Sequence, residues 1–384
     1  MNYFTLGRKK WDTPVSNRRC EDARTYGDAV YSHRSSHLRF PKFAHRPAGV
    51  MTPLRFAAIG LDHSHIWGQV ELLRRAGAEL VAFYAAEHAL AQPFADRYPG
   101  ARRVADARRI LEDDGIALVV SAAIPCERAP LGIAAMRHGK DFMVDKPGMT
   151  SLAQLAAVRK VRRETGRIYS ICYSEHFATR STVKAGELVA AGAIGCVINM
   201  TGLGPHRLDR KRRPEWFFRR EQTGGVLTDI ASHQCEQFLF FTGAPNAEIV
   251  AATVANRANP ETPELQDFGE ILLRAGDATG YIRVDWFTPD GLPAWGDGRL
   301  VILGTEGYIE LRKYLDPSGQ PGADHLILVD REGVHRIDCS GVELPYGRQL
   351  VHDIRERTEM AMPQARCFQA MEIALKAQAL AERS

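Results

Sequence analysis

No two of the seven cysteines stand in a CxxC spacing; Cys20, Cys126, Cys172, Cys196, Cys235, Cys339 and Cys367 are scattered along the chain. That excludes a zinc ribbon and a redox dithiol, and an odd, unpatterned set reads as free thiols in a reducing, cytoplasmic compartment. No apolar run approaches the roughly 18 residues of a membrane span. No internal repeat or low-complexity tract is present, so solenoids and fibrous folds are excluded. Excess charge is scarce too: 50 Lys and Arg face 46 Asp and Glu. Residues 1–50 hold ten basic against four acidic residues, so the rest is near neutral and its partner need not be a polyanion.

With 384 residues there is room for two cores. The basic segment 1–50 shows no sustained periodicity and is expected to be a disordered extension. Arg18-Arg19 is not an export signal, because Cys20-Glu21-Asp22 follows where an apolar stretch should be. Met51 opens a sequence that runs straight into a strand and is a candidate start.

From Leu54 strands and helices alternate. Leu54–Ile59, Glu79–Tyr84, Ile116–Ser121, Asp141–Val144 and Ile168–Tyr173 read as buried strands. Helical spacing fills the gaps through Ile66–Leu73, Ala89–Tyr98, Ala107–Glu112, Ala129–His138 and Leu152–Thr165. Such alternation predicts βαβ units and a parallel sheet over residues 51–176. Beyond 177 the pattern changes. Helices are predicted over Ser181–Ala191 and Gly225–Phe241, then eight extended segments, several joined by short glycine turns. Residues 177–365 are therefore expected to form an α+β domain with a mostly antiparallel open sheet. A terminal helix within 366–384 is expected to pack back on the first domain.

The first strand ends in Gly60-Leu61-Asp62-His63-Ser64-His65. A dinucleotide site wants glycines here so that a pyrophosphate can approach backbone amides and a helix N-terminus. Only Gly60 holds its place in a GxGxxG frame; Asp62 and His65 occupy the others. An Asp62 charge there is unfavourable unless its side chain turns away to cap the helix. Ala85 stands where the second strand should supply an acid to the ribose, with Glu87 two residues on.

Asp145-Lys146-Pro147 and Gly224-Gly225-Val226-Leu227-Thr228-Asp229-Ile230-Ala231-Ser232-His233 resemble two signatures of the glucose–fructose oxidoreductase and inositol dehydrogenase family. The resemblance implies an N-terminal Rossmann domain, a second α+β domain that often builds homo-oligomers, and bound NAD or NADP. It also implies a lysine, Lys146, beside the nicotinamide, with Asp229 and His233 at the reacting hydroxyl. The cofactor would lie along Gly60, Leu61, Asp62, His63, His65, Ala85, Ala123, Ile124, Lys146 and Pro147. Where the family commonly has Pro-Asn after the fourth strand, Ile124-Pro125-Cys126 stands here.

The residues themselves are consistent with that chemistry. Asp229 and His233 at i, i+4 are expected on one face of a helix. Alcohol oxidation removes a proton as a hydride leaves, which suits a histidine, and a lysine stabilises alkoxide charge. A sugar, polyol or sugar acid is expected to meet His176, His206, Arg207 and Trp216, from the entrance of the second domain and the basic loop 204–220. No nucleic-acid or membrane partner is expected. Two other readings stay open: a non-catalytic ligand-binding protein on this scaffold, and metal-assisted lyase or isomerase chemistry at Asp229, His233 and Glu236 with His206 upstream.

Overall fold

The computed structural model describes residues 52–383; the expectations for residues 1–50 and for Met51 lie outside them. A parallel sheet comes first, built from β1 (Arg55–Ile59), β2 (Glu79–Tyr84), β3 (Arg102–Arg103), β4 (Leu118–Ser121), β5 (Asp141–Asp145) and β6 (Tyr169–Cys172). Its spatial order is β3-β2-β1-β4-β5-β6. The chain winds outward from β1, then returns across it to β4. That reversal leaves a crevice beyond the carboxyl ends of β1 and β4, where open α/β sheets bind ligands. Strands β4 and β5 are buried at every position, which explains their apolar runs Leu118–Val120 and Phe142–Val144.

Helices α1 (His65–Arg75), α2 (His88–Arg97), α3 (Arg108–Leu111), α4 (Pro125–Arg137) and α5 (Leu152–Thr165) connect these strands. Helix α4 begins four residues before its expected start at Ala129. Pro125 sits in its first turn, where a missing N–H costs nothing and φ is already helical.

Short helices α6 (Ser174–Phe177) and α7 (Arg180–Ala190) lead to the second sheet. Its strands are β7 (Val197–Pro205), β8 (Glu248–Ala255), β9 (Phe268–Ala275), β10 (Ala278–Asp285), β11 (Arg299–Gly304), β12 (Tyr308–Arg312), β13 (His325–Val329) and β14 (Val334–Ile337). They lie in the order β14-β13-β12-β11-β7-β10-β9-β8. All neighbours are antiparallel except β7 and β10, as the mostly antiparallel expectation requires. Between β7 and β8 lie α8 (Arg220–Thr223), a π-helical turn (Leu227–Ala231) and α9 (Ser232–Thr242). Helix α9 lies against one face of this sheet. A Cβ on Gly280 would stand 2.7 Å from the Phe238 ring, so only glycine admits that approach.

Two C-terminal helices complete the chain, α10 (Tyr346–Glu356) and α11 (Gln364–Ala381). Helix α10 was not anticipated, although Tyr346, Leu350, Val351 and Ile354 are its buried stripe at helical spacing. Helix α11 does return to the first sheet: Gln364 exchanges hydrogen bonds with the Tyr169 backbone at 3.0 and 3.2 Å. Its far end does something else. Gln378 Oε1 accepts from the Leu227 N–H at 3.0 Å, at the start of the π turn. One helix therefore ties β6 to the segment that carries Asp229.

Candidate active site

The first βα turn is stitched to both neighbouring strands. Gly60 N–H donates to Tyr84 O, Ala122 N–H to Gly60 O, and His63 N–H to Ala122 O at 2.9 Å. Gly60 has φ +78°, and a Cβ there would stand 2.5 Å from the Ala123 methyl. Glycine is required on both counts. Leu61, Ala85 and Ala123 are buried in this floor, Ile124 precedes α4, and Pro147 is buried. Asp62 does not cap α1, which receives no side-chain cap bond. Burial, with the charges of Glu127 and Glu87, instead raises the Asp62 carboxyl, which eases the repulsion that an anion would meet there.

Beside this turn sits a hydrogen-bonded cluster. His65 N–H donates to His63 Nδ1 at 3.2 Å, so a neutral His63 carries its proton on Nε2. The His65 ring meets Asp145 Oδ1 through Nδ1 at 2.9 Å, and Arg128 donates to Asp145 Oδ2 at 3.2 Å. Burial would raise the Asp145 carboxyl, but His65 and Arg128 outweigh it and hold it well below the carboxylate range. Burial lowers His63 well below its ordinary value. Ligand atoms of His63, His65 and Asp145 lie within 4.8 Å of one another, a donor set that suits a divalent ion. However, the Arg128 guanidinium and the N-terminus of α1 both oppose further positive charge there.

Arg128 also builds the next segment. Nearly inaccessible, it donates to the backbone oxygens of Ala123 (2.7 Å), Asp145 (3.2 Å), Lys146 (2.5 Å) and Pro147 (3.1 Å). These bonds clamp the cis Lys146–Pro147 peptide at the end of β5. Lys146 Nζ then donates to Asp229 Oδ1 at 2.8 Å, across 83 residues of sequence. Burial pushes the Asp229 carboxyl up, yet the Lys146 ammonium leaves it lowered overall.

Asp229 and His233 do not share a regular α-helical face, contrary to expectation. Asp229 lies in the π turn and His233 opens α9, so the extra residue in the turn re-aims the carboxylate. Gly224 and Gly225, both at positive φ, start that turn. His233 is 2% exposed and its Nδ1 has no partner. Burial lowers its pKa to about 3, so the ring is neutral across the physiological range.

Lys146, Asp229 and His233 converge on a cleft of about 270 Å³ that His63, Ser64, His65 and Arg128 also line. A larger groove of about 740 Å³ beside α1 is lined by none of them. His206 and Trp216 line the same cleft. His206 Nδ1 meets Gly204 O at 3.1 Å, and burial lowers the ring to about 4. Two expectations need correction. His176 points away, holding Glu236 at 2.9 Å between the rings of Phe177 and Phe240. Arg207 spends its guanidinium on the backbone oxygens of Pro289, Asp290 and Leu292, pinning that loop. Glu236 is likewise engaged with His176 and Arg366, so the carboxylate that the metal reading takes as its third ligand is already paired.

Glu175-His176, at the entrance of the second domain, is a candidate substrate pair by sequence, and the fold splits it. Glu175 takes the place expected of its neighbour His176: Lys313 Nζ (2.5 Å) and Gln234 Nε2 (3.0 Å) donate to its Oε2, while Oε1 has no partner. Burial raises its carboxyl, but Lys313 prevails and sets it at about 2. Arg213, Trp286, Trp295 and Tyr314 complete the wall. Arg213 belongs to the basic loop 204–220, whose arginines are candidates to bind hydroxyls or a carboxylate; the other three come from distant parts of the chain with no local signal.

The crevice fits a nicotinamide dinucleotide. It opens at the strand-order reversal, Gly60 brings the backbone close, and α1 presents its N-terminus beside the Ser64 hydroxyl and the His63 ring. Residues 54–173 match the oxidoreductase family with an NAD-binding Rossmann fold, and residues 182–310 match the GFO/IDH/MocA C-terminal domain. The chain belongs to this family. An oxidoreductase from Erwinia carotovora atroseptica, provisionally assigned as such, shares 45% identity over 85% of this chain and 98% of its own, with a TM-score of 0.83. Scyllo-inositol 2-dehydrogenase (NAD(+)) of Bacillus subtilis is 27% identical over 53% of this chain and 57% of its own length. Myo-inositol 2-dehydrogenase from Lactobacillus plantarum shares the fold, with a TM-score of 0.70 at 18% identity, over 86% of this chain and 98% of its own. The chain spans about half the length of the curated relatives it matches. Among the described residues no helix is long and apolar enough to cross a membrane, and six cysteines are free thiols.

Proposed function

We propose that this protein is an NAD(P)-dependent oxidoreductase acting on a secondary hydroxyl of a sugar, polyol or sugar acid. One observation carries the proposal: Lys146 and Asp229, paired at 2.8 Å, share a buried cleft with His233, whose Nδ1 is unpartnered. A bound nicotinamide supplies the hydride chemistry. Lys146 places an ammonium where negative charge develops on the substrate oxygen. Asp229 keeps that ammonium aimed. His233 accepts the hydroxyl proton; its neutral form, the one that can accept, persists to low pH. Trp216 offers a ring to an apolar sugar face, and His206 a hydrogen bond to a neighbouring hydroxyl.

Purified protein incubated with NAD or NADP and a panel of inositols, aldoses and sugar acids should form reduced nicotinamide. Each cofactor that binds should also raise the melting temperature. A protein that binds neither NAD nor NADP at millimolar concentration is not this enzyme and is better read as a ligand-binding protein on the same scaffold.

We also propose that the second sheet pairs two copies of the chain. Its outer face exposes Leu272, Leu303 and Tyr308, an apolar patch of the kind that marks an interface. Light scattering should give a mass that is a multiple of 42.7 kDa, and Leu272→Arg should reduce it. The free thiols suit a reducing, cytoplasmic setting for this activity.

A further inference from the structure

The charges of the cleft do not balance. Five of its lining residues other than histidine are ionisable acids or bases of fixed sign: Arg128, Lys146, Glu175, Arg213 and Asp229. Arg128 is paired with Asp145, Lys146 with Asp229, and Glu175 with Lys313. Burial keeps His206 and His233 neutral, at about 4 and about 3. Arg213 alone among the five has no carboxylate within ion-pair distance among the described residues; Asp229 and Asp209 act on its charge only from farther away.

Its surroundings make that absence costly. The guanidinium carbon lies 4.2 Å from the centre of the Phe217 ring, 4.8 Å from Trp295 and 5.0 Å from Trp286. Aromatic faces offset part of the lost hydration of a cation but supply no counter-charge. Nε donates to Leu208 O at 2.9 Å and Nη2 to Arg207 O at 3.3 Å. An arginine has five N–H donors, so three remain for the cleft. Burial is felt strongly enough to lower this guanidinium to about 10. A half-buried cation with an unspent planar fork is matched by one ligand chemistry above others, a carboxylate held by two parallel N–H···O bonds.

We infer that the substrate is a hydroxy acid, with Arg213 binding its carboxylate and the Lys146–His233 side of the cleft meeting its hydroxyl. This rests on the oxidoreductase reading above and narrows its substrate to the sugar-acid class. A neutral sugar would leave the half-buried Arg213 without an ion pair, so the same residue selects for the acid and against its neutral counterpart. Arg213 is thus a specificity-determining residue rather than one that takes part in hydride transfer.

The test compares pairs that differ by a carboxylate in place of a hydroxymethyl group, D-gluconate with D-glucitol, D-xylonate with xylitol, and D-glucuronate with D-glucose, each with NAD and with NADP. We expect kcat/KM for at least one acid to exceed that of its neutral partner by 10-fold or more, as order-of-magnitude charge-assisted bonds allow. In Arg213→Gln the KM for that acid should rise by roughly 10- to 100-fold, and the acid-to-neutral ratio should collapse. Arg213→Lys, which keeps the charge but not the fork, should fall between. Preference for the neutral members overturns the inference, as does an equal loss for both classes in Arg213→Gln, which would mark Arg213 as a loop pin. Should no pair be turned over, the oxidoreductase reading fails separately. The carboxylate site is then read by thermal stabilisation with gluconate and glucuronate: stabilisation in the wild type that Arg213→Lys and Arg213→Gln weaken supports it, and none in the wild type overturns it.

Discussion

Replacing Lys146 by methionine keeps most of the side chain's apolar stem while deleting the ammonium that donates to Asp229 Oδ1 at 2.8 Å. At an effective dielectric of about 20, unit charges at this separation attract by roughly 6 kcal/mol, most of it offset by the desolvation of both groups. Two consequences follow. In catalysis, the developing oxygen charge loses its one cationic neighbour on that wall. Losing such a group costs about 100- to 1000-fold in kcat. In stability, Asp229 is left as a poorly solvated carboxylate, at a cost of roughly 1–3 kcal/mol.

That second cost has a defined pH dependence. In the wild type Lys146 outweighs burial and the Asp229 carboxyl is lowered on folding, so its stabilisation is present above the unfolded pKa and is lost as pH falls. Without Lys146, burial is opposed only by the smaller pulls of Arg128 and His206, the folded carboxyl rises, and destabilisation is felt at neutral pH. The melting-temperature gap between wild type and Lys146→Met should therefore be largest near pH 7 and shrink towards pH 4. Adding Asp229→Asn to Lys146→Met should recover stability but not turnover. Reduced-nicotinamide formation and calorimetry at both pH values read the two effects. Turnover within about 3-fold of wild type, or a gap unchanged between pH 7 and 4, refutes the argument.

Because burial sets His233 at about 3, the acid limb of kcat/KM should not show an ionisation near 6.5; a profile flat from pH 8 to 5 is expected, and an inflection between 6 and 7 lost in His233→Gln would contradict it. Gly60→Ala places a methyl 2.5 Å from the Ala123 Cβ at φ +78°. It should destabilise by roughly 1–3 kcal/mol in denaturant titrations, with weaker nucleotide binding by calorimetry. Arg128→Met leaves Asp145 buried with a lost partner and frees the carbonyls around Lys146. A loss of about 3–5 kcal/mol is expected, as for one broken buried pair, and a loss under 1 kcal/mol in urea melts would show that Arg128 is not the clamp described.

Much of the fold was legible because its signals are local. Buried parallel strands such as Leu118–Ser121 must be apolar on both faces, and glycines such as Gly166 stop helices where a left-handed residue is needed. Lys146, Asp229 and His233 were legible through two signatures, each short enough to be read as a unit. What stayed hidden depended on partners far along the chain. Nothing near Glu175 shows that it, rather than His176, faces the cleft. That choice is made by Lys313, 138 residues on, and by Glu236 drawing His176 to the other side. The π turn at Leu227–Ala231 was hidden for the same reason: its first N–H groups are received by Gln266 and Gln378.

By itself, then, the order of residues determined the two-sheet architecture, the first turn at Gly60 and the identity of three groups that meet in the cleft, Lys146, Asp229 and His233. Hydrophobic period, turn chemistry and short motifs act over a few residues, and a reader of the chain can see them whole. The tertiary structure decided which charges are compensated. Whether a cation is spent depends on which anion the fold brings within about 4 Å, and that neighbour lies anywhere in the sequence. Lys146, Arg128 and Lys313 each receive a carboxylate in this way, and Arg213, set among Phe217, Trp286 and Trp295, does not.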